Sequence, residues 1–188
     1  MGLSIKNLHL SECLVRDLTG DGTGNAYGVS LTRKADTSDT TNYPFSSDCI
    51  VTNNIIKDIP TWHALSTHAG NNPIFSNNYI ENCQIGVHLG STTGDDSVDF
   101  ASANHCVVDG NVIYGIGTGN GIECMNGNIN EANIGAGNVI SNNTLTDCGI
   151  DDDASNGAII IGYTKGTIIT GNSIYTPYSN GISLYYKN

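Results

Sequence analysis

The 188-residue chain is short of charge, proline and large aromatics: charged residues are 13% of it, with four Pro, three Phe and one Trp. Lys and Arg together number only 7 against 18 Asp and Glu, a net charge of −11. A protein that grips a nucleic-acid backbone needs a basic surface, so that class is excluded. No apolar run approaches the roughly 18 residues that cross a bilayer, so membrane insertion is not expected. The opening MGLSIKNLHL has no signal-peptide layout, and Lys6 stands where a myristoylation pattern wants Ser or Thr. No stretch holds a 3.6-residue period, so a helical fold is not expected either.

What is present is Gly (23 residues), with Asn, Thr, Ser and Ile, arranged in a recurring phrase. The copies are LSECLV (10–15), VTNNII (51–56), FSNNYI (75–80), VDGNVI (108–113), ISNNTL (140–145) and ITGNSI (169–174). They align on Cys13, Asn54, Asn78, Asn111, Asn143 and Asn172, spaced 41, 24, 33, 32 and 29 residues apart. Each is followed by a second short alternating phrase: GVSL (28–31), ALST (64–67), GVHL (86–89), GIEC (121–124), AIII (158–161) and GISL (181–184). Fixed phrases joined by variable loops describe a solenoid, one rung per copy. An Asn repeated at one bend can bond the bend backbone and its neighbours above and below, and tolerates the left-handed conformation of a sharp turn.

With these anchors the chain resembles the right-handed parallel β-helix superfamily, with pectate-lyase-like repeats, over residues 5–186. The resemblance implies an all-β, single-stranded parallel β-helix of about six coils with an asparagine ladder. Residues 1–188 are then one β-helix domain, expected to be cut from a longer chain or capped by partners. Within the superfamily the chain is most like a phage tailspike or tail-appendage domain. That implies a virion location, with secretion as the alternative, and a homotrimeric habit.

The cysteines test the stacking. Cys49 and Cys106 share a column two rungs apart, as do Cys83 and Cys148, so each pair is separated by about 9.6 Å, too far for a disulfide. With Cys13 and Cys124 they are expected to be six buried thiols, which suits folding in a reducing compartment.

Alignment of the second phrases places Ser30, Ser66, His88, Glu123, Ile160 and Ser183 on one outward column. A lane of small residues beside it (Gly28, Ala64, Gly86, Gly121, Ala158, Gly181) suggests either an approachable groove or turn geometry. His68, His88 and Glu123 fall on successive rungs and are the candidate catalytic residues. A His beside a carboxylate suits proton transfer, and the same trio could ligate a metal. TWHALSTHAGNN (61–72) is similar to His-rich coils of phage tail appendages. That similarity brings His63 into the site and makes Trp62 a platform for a sugar ring, with Ser66 a further contact. GDDSVD (94–99), with Asp95, Asp96 and Asp99 as candidate substrate contacts, and DDD (151–153) could chelate a divalent cation, calcium or magnesium, or equally supply acid and base for glycoside cleavage.

The expected function is binding and cleavage of a bacterial surface polysaccharide or teichoic-acid-like polymer. Non-catalytic glycan binding, a structural spacer, and a secreted lyase or hydrolase stay open. The best-known enzymes of the superfamily are poor matches. Arg33 and Lys34 lie rungs away from the trio, no paired-Asp strand motif occurs, and Asp-Pro-His is absent.

Overall fold

The structure, a computed structural model, describes residues 5–20, 25–32, 39, 41, 44–93, 99–116, 118–125, 134–149 and 156–185, with the side chains of 92–100 and 185 outside the description. Every regular element among them is a strand. Three-residue strands at His9–Ser11, Ile50–Thr52, Ile74–Ser76, Val107–Asp109, Val139–Ser141 and Ile168–Thr170 stack into one six-stranded parallel sheet. A ten-stranded sheet holds the strands just after each anchor and those of the second phrases, including the long strands Ile55–His68 and Tyr79–Gly90, which run round a corner, while Gly135–Ala136 and Thr164–Lys165 form a separate parallel pair. The fold is a parallel β-helix. One small antiparallel pair, Thr92–Thr93 with Asp99–Ala101, leaves the rung that carries His88.

The corners have a regularity that the anchors alone do not reveal. Left-handed backbone recurs every five residues in each rung: Asn7, Glu12 and Asp17, then Asp48, Asn53 and Asp58, then Asn72, Asn77 and Asn82, and so on to Gly166, Gly171 and Thr176. Three bends bracket two triplet strands per rung. Asn, Asp and Gly fill most of these sites because they accept positive φ at least cost. The bend residue is the one before the anchor, at Asn53, Asn77, Gly110, Asn142 and Gly171, so the anchor asparagines are not themselves left-handed.

The anchors are instead hydrogen-bonded, with Asn54, Asn78, Asn111 and Asn143 buried and Asn172 half-buried. The Oδ1 of Asn78 accepts from both the backbone N–H and the side-chain amide of Asn54, each at 3.0 Å. Asn111 does the same for Asn78, Asn143 for Asn111 and Asn172 for Asn143. The remaining amide hydrogens go to strand carbonyls such as Val51, Phe75 and Val108. A polar row is thereby satisfied inside a core of Ile56, Phe75, Ile80, Ile113, Ile140 and Leu145.

None of the six cysteines forms a disulfide; five are buried and Cys13 is half-buried. Burial drives the thiols of Cys83 and Cys148 up to about 11 and that of Cys106 well above its ordinary value, so they stay protonated and act as apolar filler.

The small-residue lane is not a groove. Ala64, Gly86, Gly121 and Ala158 are buried. A Cβ on Gly121 would come within 2.6 Å of Leu145 and 2.8 Å of the Ala158 carbonyl. These residues are small because the backbone turns tightly over the core there.

Candidate functional site

Register brings the histidines together. Ser66 pairs with His88, which pairs with Glu123, while His68 pairs with Gly90. His63 enters from the bend before Ala64, where a register shift between Ile59 and His63 turns the strand. His88 Nδ1 lies 2.9 Å from Glu123 Oε2, with both side chains about 15% exposed (15% and 14%). Glu123 accepts a second hydrogen bond at 2.6 Å on Oε1 from the Asn120 amide. Asn120 is itself fixed, because its Oδ1 accepts from the Gly157 N–H at 3.1 Å. The carboxylate is thus held from two sides, and His88 is oriented by it with Nε2 leaning over Gly90. Any Cβ at residue 90 would collide with the imidazole.

The other two histidines close the cluster. His68 Nδ1 lies 3.1 Å from the Ser91 carbonyl, which can only accept, so this nitrogen carries the proton. His63 is almost fully buried, stacked between Trp62 at 4.6 Å and His88 at 4.3 Å. Tyr27 meets it edge-on at 5.4 Å. Burial, and then the neighbouring His88 and His68, push its pKa down to about 2, so it is neutral at any ordinary pH. Its Nδ1 and the Trp62 indole N–H are buried without a hydrogen-bond partner. His63, His68 and His88 each offer a ring nitrogen, all within 4.8 Å of one another.

Of the residues picked from the sequence, His63, His68, His88, Glu123 and Trp62 converge. Ser66 does not offer a surface contact: it is fully buried and its hydroxyl bonds Ser30 Oγ at 3.0 Å. Ile160 on the same column is also buried. Asp95 and Asp96 lie outside the described residues, as do 151–153, Arg33 and Lys34; Asp99 is placed by its backbone alone, paired with Thr93. Asn120, Gly90, Ser91 and Tyr27 were missed. Tyr27, His63 and Asn120 share a sequence signal, each standing just before the small residue that opens a second strand.

No family model matches the chain, and no curated protein matches it. Among solved structures it is similar to the crystal structure of PfbA, a surface adhesin of Streptococcus pneumoniae, with TM-score 0.53 and 10% identity. The match covers 97% of this chain and 46% of that one, so the chain spans about half the length of PfbA. At this identity the likeness shows a shared β-helix fold.

Proposed function

We propose that this β-helix binds a bacterial surface polymer and hydrolyses one of its linkages at the His63–His68–His88–Glu123 cluster, as part of a phage tail appendage. The observation that carries this reading is the 2.9 Å contact between His88 Nδ1 and a carboxylate fixed by Asn120. That contact holds the ring proton on Nδ1 and leaves Nε2 as the basic nitrogen. A water at Nε2 would give up a proton as its oxygen attacks the linkage, and that proton is then available to the departing oxygen.

The chemistry favours a phosphodiester or ester of a teichoic-acid-like polymer over a glycosidic bond. Glycoside cleavage uses two carboxylates flanking the bond, whereas the carboxylate seen in this cluster is Glu123. That PfbA is a surface adhesin agrees with recognition at a cell surface. A non-catalytic binding module is the second reading, favoured by the deep burial of Ser66 and His63. Product release from wall polymers and capsular glycans decides between them. Release by wild type that His88→Gln abolishes supports hydrolysis, and retained binding without release leaves the module.

The same reading takes the stacked rungs as about six coils, their hydrogen-bonded anchor asparagines as a ladder, and the crossovers as right-handed, as parallel strand connections nearly always are. Side-by-side homotrimers would use the outward column Leu14, Ile55, Tyr79 and Val112. These residues lie in register on successive rungs and are 39–59% exposed.

A further inference from the structure

We infer that His63, His68 and His88 form a binding site for a zinc-class divalent ion, with Glu123 orienting His88 and the Ser91 carbonyl orienting His68. The site is argued from its donors; its consequence for catalysis rests on the hydrolytic reading above.

Two of the rings are already set as ligands. His88 and His68 each commit Nδ1 to an oxygen, Glu123 Oε2 and the Ser91 carbonyl respectively, so Nε2 is the nitrogen left for an ion. An imidazole whose far nitrogen donates to a carboxylate or a backbone carbonyl is the usual support of a metal ligand, because it fixes the tautomer and raises basicity. The third ring, His63, is buried with Nδ1 unpartnered. Leaving such a nitrogen without a partner is costly, and a cation would satisfy it. Its depressed pKa keeps it in the neutral form that binds metal. Stacking on Trp62 accounts for the position of His63, but not for the carboxylate that Asn120 holds on His88.

The donor set selects the ion. Imidazole nitrogens suit zinc and its transition-metal neighbours, whereas calcium and magnesium require oxygen. The calcium or magnesium expected from the acidic loops would belong to those loops, not to this cluster. Zinc–nitrogen bonds of about 2.0–2.1 Å put neighbouring ligand atoms about 3.3 Å apart in a tetrahedron. The three ring nitrogens lie within 4.8 Å of one another, so a small inward turn of the rings would reach that spacing, and His63 stacked on Trp62 would carry the change to the indole. With the net charge at −11, an ion here would also give an anionic polymer something to bind. His88 Nε2 would then act as a ligand rather than as a proton acceptor, and the ion would activate the water.

Trp62 is the chain's single tryptophan and therefore a built-in reporter. The full chain, stripped with EDTA and dialysed, is titrated with Zn²⁺ and separately with Co²⁺. Tryptophan emission, the visible Co²⁺ spectrum and bound metal by mass spectrometry are followed. The expected result is one equivalent bound per chain, a saturable emission change, and d–d bands of a nitrogen-ligated cobalt. His68→Gln and His88→Gln should each weaken binding at least tenfold, and Glu123→Gln by about tenfold to a hundredfold. Thermal melts confirm that the variants fold, and the partly exposed His68 and His88 are substituted so that buried His63 is left in place. No stoichiometric binding, or binding that all three substitutions leave unchanged, overturns the site. Polymer cleavage is scored separately. Metal bound without cleavage keeps the site and sinks the hydrolytic reading; cleavage by metal-free protein that binds no ion does the reverse.

Discussion

His63 lies face to face with His88, ring centroids 4.3 Å apart and planes 18° from parallel. Two stacked imidazoles cannot both carry charge cheaply, and His63, buried on its other face by Trp62, is held neutral. Its pKa falls from an ordinary 6.5 to about 2 on folding. Between those values the unfolded chain binds more protons than the folded one, so stability falls as pH drops below about 6.5. The loss is about 1.4 kcal/mol per pH unit at most, or about 2 kcal/mol at pH 5, above the range where most carboxylates titrate. Melting curves of metal-free protein between pH 7.5 and 5 should show this slope. His63→Phe, which keeps a ring on Trp62 but cannot titrate, should flatten it; an unchanged slope would assign it to other groups.

Glu123→Gln should cost far more activity than its near-isosteric shape suggests. The glutamine oxygen can keep the Asn120 amide, but its NH₂ then faces His88 Nδ1 and drives the ring proton to Nε2, removing the basic nitrogen. Product release should fall about a hundredfold or more, as for His88→Gln, with the melting temperature little changed. Equal release by wild type and both variants would place the chemistry elsewhere.

Gly90→Ala tests the position of that nitrogen without touching a ligand or a base. The new methyl would occupy the space of the His88 imidazole and turn it away from the cluster. Activity and Co²⁺ binding should each drop at least tenfold, while the far-UV circular dichroism of the β-helix persists.

Asn111→Leu probes the buried polar row. Its Oδ1 accepts from two Asn78 groups, the backbone N–H and one amide hydrogen. Removing it leaves both in an apolar interior at about 1–3 kcal/mol each. Urea melts should show about 2–6 kcal/mol lost. Thr144→Ala, one residue beyond the next anchor and partly exposed, should stay within about 0.5 kcal/mol.

Ile55→Glu with Tyr79→Glu places two charges on the outward apolar column. Sedimentation should show a trimer in wild type and a monomer in the double variant. A monomeric wild type would remove the trimer from the reading and leave the column as ordinary exposed surface.

The rungs were legible because each obeys local rules. Alternation sets the strand faces, and the columns Val29–Leu65–Val87–Ile122–Ile159 and Ser30–Ser66–His88–Glu123 fall in register as the aligned phrases predict. The five-residue recurrence of bends was equally local but less visible, because Asp, Asn, Gly, His, Glu and Thr all occupy it.

The surface contact expected of Ser66 failed, and the small-residue lane resolved to turn geometry rather than a groove, for one reason. Ser66 and the glycine lane were placed by the direction of a strand, but burial depends on what packs over that direction. Ser66 is covered and bonds Ser30, and the glycines face the core at a corner.

By itself the sequence determined the solenoid, since stacking identical rungs requires only that each repeat carry its own strands, bends and inward residues. It also determined that His88 and Glu123 would be neighbours, because one register fixes every rung. Only the tertiary structure decided that His63 would join them from a bend, that Asn120 would hold the carboxylate, and that Gly90 would leave room for the imidazole. These depend on how variable connections turn at the corners, and no period in the sequence encodes a turn that occurs once.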